Sequence, residues 1–413
     1  MAKRLTAFLL AATVAAAALS SRAIVAQDAF HVTFGTTGDP GSRYADGATF
    51  VVETDRGDIV VAGGGATYFS DDGITGRSYP LLARFSSRGE LAWQRVYTDL
   101  ESHRVMAVLS AGEEQYVVLR DDSESSGPEP VPTPLSLRRV DQGGDVSESL
   151  GELQGFTVLE AFPITGAEPY FLIVAIRPAA GSETALDVKL FRFDVRAKIT
   201  EQRAPADIDS IQDLQHAGAG ELLLSRWRPR GSAGASNRPL IDTEIVRMRG
   251  TGETEVVATI PERLCRSVAS SPNRVFCVAY SPEGTDQPDV LIAYSMGGTE
   301  LWRHDLERGV RVEQMRALQS GELVYAYPRD MDAIVNRIST SGGLLWMRLL
   351  RSTGPYTYLL GIAPLRNGRL ALFGFTGPSN AFGSMDTDAM LVVIDIADGD
   401  VGAKIVSTVV GSP

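Results

Sequence analysis

The sequence is poor in the residues that most enzyme chemistry needs. Its 413 residues include four histidines, at 31, 103, 216 and 304, and two cysteines, Cys265 and Cys277. The histidines stand singly, without zinc-ligand spacing. No G-x-S-x-G elbow, H-E-x-x-H helix or G-x-x-x-x-G-K-[ST] loop occurs, which removes the usual signatures of esterases, zinc proteases and nucleotide hydrolases. None of Asn237, Asn273, Asn336, Asn367 and Asn380 has a hydroxyl two residues on, so there is no N-x-[ST] acceptor, as suits a bacterial export product. Basic residues are also scarce, 39 against 51 acidic. A net charge of −12 argues against nucleic acid or an anionic membrane as partner. No helical period is sustained beyond the first two dozen residues.

One apolar run stands out, Leu5 to Leu19, preceded by Lys3 and Arg4 and followed by small residues. At about 15 residues it is short of the roughly 20 that span a bilayer. Residues 1–26 therefore read as a cleaved secretory signal peptide, with Ala23 or Ala26 at the cut, and 27–413 as the exported chain. Its loss removes Lys3, Arg4 and Arg22 and no acid, leaving 36 basic to 51 acidic residues and a net charge near −15. No later segment can span a membrane. Periplasmic or secreted placement follows, in an oxidising compartment.

What the sequence has in quantity is one phrase, repeated. SSRGELAWQRVY at 86–97 returns as MGGTELWRHDL at 296–306 and TSGGLLWMRLL at 340–350. Aligned on its glycine, it gives seven positions: Gly89, Gly144, Ala197, Gly252, Gly298, Gly342 and Gly399. The gaps between them run from 44 to 57 residues, the period of propeller blades. Each unit offers the same four short strands, for example ATFVVET, GDIVVAG, PLLARF and LAWQRVY in the first. The fold class is therefore all-β: a seven-bladed β-propeller of four-stranded antiparallel blades, in one domain. The glycine is the tight turn into the outermost strand, and Trp93, Trp302 and Trp346 pack between blades. FHVTFG at 30–35 is a spare strand that either adds to the last blade or displaces AKIVSTVV from its ladder.

The last unit, NGRLALFGFTG followed by DTDAMLVVIDIADGD, resembles the bacterial seven-bladed β-propeller repeat proteins. That resemblance implies the fold and no single function, because members bind diverse partners. More loosely, GGTELW and GGLLW are similar to the repeats of pyrroloquinoline-quinone enzymes, which would imply a quinone site that maps onto no residues of this chain. No cofactor and no metal site is expected. Asp386, Asp388, Asp395, Asp398 and Asp400 miss the calcium-loop pattern D-x-[DN]-x-[DN]-G, and Arg56-Gly57-Asp58 falls where a hairpin must turn.

RLCRSVASSPNRVFCVAY sets Cys265 and Cys277 on the two inner strands of the fifth blade. A turn centred on Ser271 would make them directly opposed, at a spacing that suits a disulfide.

Loop lengths point to a functional face. Turns between first and second strands, and between third and fourth, are short. Second-to-third loops are long in most blades, as in GGATYFSDDGITGRSY, DDSESSGPEPVPTP, RPRGSAGASNRPLID and TGPSNAFGSMDTD. Strand alternation puts these loops on one face with the starts of the inner strands. Candidate ligand-binding residues there are His103, Arg104, Asp209, Arg266, Arg311 and Tyr358, with Asp207, Arg263 and Tyr356 beside them. The expected function is that of a monomeric binding or scaffold module for a protein or carbohydrate partner on this face. The alternatives are a polysaccharide lyase or hydrolase, with His103 or Tyr358 moving a proton and Arg104, Arg266 or Arg311 neutralising a uronate, and a quinoprotein oxidoreductase.

Overall fold

In a computed structural model the described residues are 29–37, 43–69, 77–123, 132–165, 168–178, 186–202, 211–218, 221–233, 238–249, 253–281, 287–350, 356–377, 387–397, 399 and 405–411. Residues 1–26, where the signal peptide is expected, lie outside them. Seven sheets follow one another along the chain, antiparallel but for one strand pair in the last. Blade 1 consists of Arg43–Glu53, Ile59–Phe69, Arg77–Phe85 and Leu91–Val96, and blades 2 to 7 begin at His103, Thr157, Ile211, Leu264, Gln314 and Tyr356. The only helical elements among the described residues are two single 3₁₀ turns, Thr98–Leu100 and Arg366–Gly368.

Both faces of every blade are covered by neighbours, so the middle strands are unbroken apolar runs instead of alternating ones. Phe171–Ala175 and Val275–Ala279 are buried at every position. The core is divided accordingly into seven apolar clusters, each shared by two consecutive blades. Leu109 and Phe171 meet between blades 2 and 3, and Leu223 and Val275 between blades 4 and 5.

The repeated phrase has a physical reason. Six of its seven aligned positions, Gly89, Gly144, Ala197, Gly298, Gly342 and Gly399, have positive φ; Gly252 lies outside the described residues. The Trp that follows the glycine in one blade lies on the turn glycine of the next. A Cβ on Gly144 would stand 2.8 Å from the Trp93 ring, one on Gly342 3.1 Å from Trp302, and one on Gly399 3.0 Å from Trp346. The indole nitrogens of Trp302 and Trp346 donate to Thr340 O and Ile396 O beside those turns. Glycine is thus needed for conformation and for clearance together.

Ring closure uses both chain ends. Phe30–Thr37 enters the last sheet next to Asp388–Asp395, antiparallel, with His31 opposite Val392. Ile405–Gly411 then pairs parallel to its far side, with His31 opposite Ile405. The spare strand displaces the C-terminal strand from the fourth place and pushes it to a fifth. Ion pairs stitch the same junction: the nearly buried Arg369 reaches Glu53 at 2.8 Å, and Arg366 reaches Asp55 at 2.6 Å.

Six of the seven inner strands carry a β-bulge. In blade 5 the register steps from Cys265↔Ala279 to Ser267↔Val278, leaving Arg266 as the extra residue. This corrects the expected disulfide register. Cys265 and Cys277 are bonded, with Cα atoms 6.1 Å apart, but Cys277 faces Val268, and the hairpin turns at Pro272-Asn273, not about Ser271. The two cysteines are diagonal neighbours on one face, not a directly opposed pair.

Candidate ligand-binding site

The inner strands of blades 5, 6 and 7 start on the face where the second strands end, and side chains from both meet there. Arg266 is presented by its bulge, the device that re-aims a side chain out of a regular ladder. Its guanidinium carbon lies 5.6 Å from the centre of the Tyr280 ring. Burial pushes the Tyr280 phenol above its ordinary value, opposed by the charges of Arg311 and Arg266, so both cations flank this ring. Its hydroxyl donates to Val312 O at 3.1 Å.

Blade 7 adds an aromatic platform. Tyr356 and Tyr358 stack with ring centres 6.3 Å apart, and Tyr358 stacks on Phe375 at 5.2 Å. The Tyr358 hydroxyl donates to the Glu313 carboxylate. Burial first, and that bond second, push the phenol well above its usual range, so at neutral pH it stays protonated with its one hydrogen on Glu313. A small cleft continues from Tyr358 between blades 6 and 7, past Glu313, Tyr327 and Thr357. Blade 6 closes its second hairpin within two residues, Asp330 and Met331; Met331 O accepts from Thr357 N at 2.8 Å. The wall of loops is therefore low at blade 6.

Arg266 and Arg311 are both exposed, and neither forms an ion pair with a described residue. Arg263 differs. It donates to Pro288 O at 2.8 Å, Ser281 Oγ at 3.0 Å and Gln287 Oε1 at 3.1 Å, which commits it to holding the blade 5 loop.

Charged groups also line the channel itself. Glu160 on blade 3 is exposed. Desolvation raises its carboxyl pKa, the Asp213 charge on blade 4 adds to this, and Arg104 and Arg120 oppose it. Asp213 Oδ2 accepts from Val268 N at 2.7 Å. Arg316 on blade 6, enclosed by the ring, is pulled down by burial and held up by Asp213, and its Nε donates to Ile362 O.

The residues singled out from the sequence therefore separate. Arg266, Arg311 and Tyr358 come together over blades 5 to 7, with Tyr356 beside them. His103 and Arg104 lie on blade 2. The His103 ring nitrogen Nδ1 sits 3.1 Å from Glu101 O, and its charge helps lower the Asp121 pKa, where burial acts in the opposite sense and the Ser123 hydrogen bonds lower it. The Arg104 charge opposes the rise of the Glu160 carboxyl pKa. Asp207 and Asp209 lie outside the described residues. Tyr280, Glu313 and Phe375 escaped sequence reasoning. A signal was present: Tyr280 and Phe375 each fall six residues after the arginine that opens their strand, Arg274 and Arg369.

Two of the loops read as long are hairpins carried past the blade. Blade 4 keeps its pairing out to Ala233↔Arg238, and blade 1 out to Tyr68↔Arg77. Residues 124–131 and 378–386, from two further long loops, lie outside the described residues. Of Arg56-Gly57-Asp58, Asp58 is engaged by Arg84 at 2.7 Å and Gly57 N donates to Thr54 O, so it is a turn. Among the described residues there is no group of three or more metal-ligating side chains, and no helix is long and apolar enough to cross a membrane.

No protein-family model matches the chain, and no curated protein does. The looser likeness to quinone-enzyme repeats thus gains no support. Solved structures do match. The β-propeller domain of the Trilobed protease from Pyrococcus furiosus, described as having an open velcro topology, superposes with a TM-score of 0.50 at 9% identity, over 89% of this chain and 99% of that one. Prolyl oligopeptidase B from Galerina marginata gives 0.50 at 10% identity, over 85% of this chain and 52% of that one, so the chain spans about half its length. Virginiamycin B lyase from Staphylococcus aureus gives 0.48 at 9% identity, over 89% and 100%. At these identities the likeness is one of fold.

Proposed function

We propose that the protein is an exported binding module whose channel mouth, over blades 5 to 7, takes an acidic oligosaccharide. Residues 1–26 serve as its signal peptide, and the rest is one propeller domain in the periplasm or outside the cell. The observation that carries this reading is the pairing of two cations without an ion pair to a described residue, Arg266 and Arg311, with the Tyr280 ring and the stacked rings of Tyr356 and Tyr358. Guanidinium forks suit carboxylates, and flat rings with polar tips suit sugar faces and hydroxyls. The Tyr358–Glu313 bond spends the phenol's one hydrogen and leaves its oxygen as an acceptor held in place for a sugar hydroxyl. Isothermal titration with a tetragalacturonate and with its fully methyl-esterified form tests this. Binding of the acid, weakened by salt, with little binding of the ester, is expected. No binding of either, or equal binding of both, overturns the proposal.

A second reading, cleavage of such a ligand, is favoured by Glu160. Its raised carboxyl near the charged Asp213 is the pattern of a proton donor beside a second carboxylate. Tyr358, held protonated, is a poor base. New reducing ends from the acidic oligosaccharide, abolished by Glu160→Gln, are its test; an uncleaved ligand after prolonged incubation rejects it.

A further inference from the structure

The outer strand of blade 6 differs from its counterparts. Leu344–Leu350 exposes Leu344, Leu345, Met347 and Leu349, with 58%, 48%, 52% and 54% of their surfaces accessible. The matching strand of blade 5, Glu300–Asp305, carries Glu300, Arg303, His304 and Asp305 around one exposed leucine, Leu301. That of blade 3, Ile199–Gln202, exposes Thr200 and Glu201. Edge strands usually guard their unpaired backbone with charge, proline or bulges. From Thr340 to Leu350 the sole charge is Arg348, whose Nε donates to Gly399 O at 3.0 Å on blade 7. It is turned inward and does not guard the rim.

The sequence of this strand reads nearly the same in both directions: Leu-Leu-Trp-Met-Arg-Leu-Leu. We infer that two copies of the protein pair through this strand, antiparallel, about a two-fold axis at Met347. In that register Leu345 lies opposite Leu349 of the partner subunit, and Met347 opposite the partner's Met347. Directly opposed side chains then sit about 5 Å apart, and every pair on the exposed face is apolar. The contact is isologous, as closed dimers require. On the other face Trp346 and Leu350 remain in the core shared with blade 7, so pairing needs no rearrangement. The strand is last in its sheet, and among the described residues none pairs with its outer edge. The mouth of the channel lies at the opposite, inner end of the blade, so two such copies present two ligand sites. This departs from the monomer expected from sequence.

Sedimentation equilibrium of the purified protein from about 1 to 100 μM tests the inference. A dimer is expected, and Met347→Lys, which sets two like charges face to face, should raise the dimer dissociation constant by about tenfold or more. At a dilution where both proteins are monomeric its melting temperature should match the wild type's, since residue 347 is exposed in the single chain. Met347→Cys should crosslink to itself under mild oxidation, whereas Arg303→Cys, at the matching place on blade 5, should not. A wild type that stays monomeric, a dimer indifferent to Met347→Lys, or equal crosslinking at both cysteines would overturn it.

Discussion

Phe30 lies directly on Gly89: a Cβ added to the glycine would stand 2.5 Å from the Phe30 ring. The first residue of the closing strand thereby locks onto the turn of blade 1, as Trp93, Trp302 and Trp346 do elsewhere. Gly89→Ala should meet both a φ of +80° and this clash, at a combined cost of roughly 2–5 kcal/mol. Gly112→Ala, with φ of +65° and nothing within 4 Å, should lose only about 1 kcal/mol. Denaturant melts compare them. Phe30→Leu should soften the first loss when combined with it, a coupling that a simple backbone effect would not show.

Reduction of Cys265–Cys277 should lower stability by at most about 3 kcal/mol, given so short a loop. Because Arg266 is the bulge residue beside Cys265, reduction should also weaken ligand binding several-fold while the seven sheets persist. Paired titrations with and without reductant, alongside far-ultraviolet circular dichroism, read both effects. Affinity indifferent to reductant would show that the bulge holds without the bond.

His31 sits in the closing strand with 5% of its surface exposed and no partner for Nε2. Burial holds its pKa below 6.5. A folded pKa below the unfolded one means that the unfolded chain gains the proton first. Stability should therefore be full above about pH 6.5 and fall as acid is added through that range. His31→Leu should flatten this fall. Equal slopes for both proteins between about pH 7.5 and 5 would remove His31 from the account.

The blade count was legible because the turn demands glycine and the outer strand demands a large aromatic, and both recur in the sequence. Strand identity was legible for the same reason: runs such as Val275–Ala279 are buried on both faces. The bulges were not, because one extra residue leaves an apolar run looking unchanged. That is why the disulfide could be paired correctly yet given the wrong register. The site was legible only in part. Arg266, Arg311 and Tyr358 fall at inner-strand starts, which topology places on one face. Which blades face one another across a ring is a matter of closure, so His103 and Arg104 could not be told apart from them. Glu322, an apparently inert turn residue, is held by Arg337 at 2.6 Å, a contact between strands that no local pattern announces.

The account rests on one claim, that ligand docks on the mouth of blades 5 to 7 and not on the tight-turn face. The most direct measurement compares two charge-matched double variants by titration with tetragalacturonate. Arg266→Glu with Arg311→Glu reverses two charges at the mouth; Arg88→Glu with Lys198→Glu reverses two at exposed tight turns. The protein's net charge changes equally, so any general repulsion of the anion is shared. Loss of binding by about 100-fold in the first pair, from two lost charge-assisted contacts, with little change in the second, is the predicted result. Equal losses in the two pairs, or loss confined to the second, would contradict it.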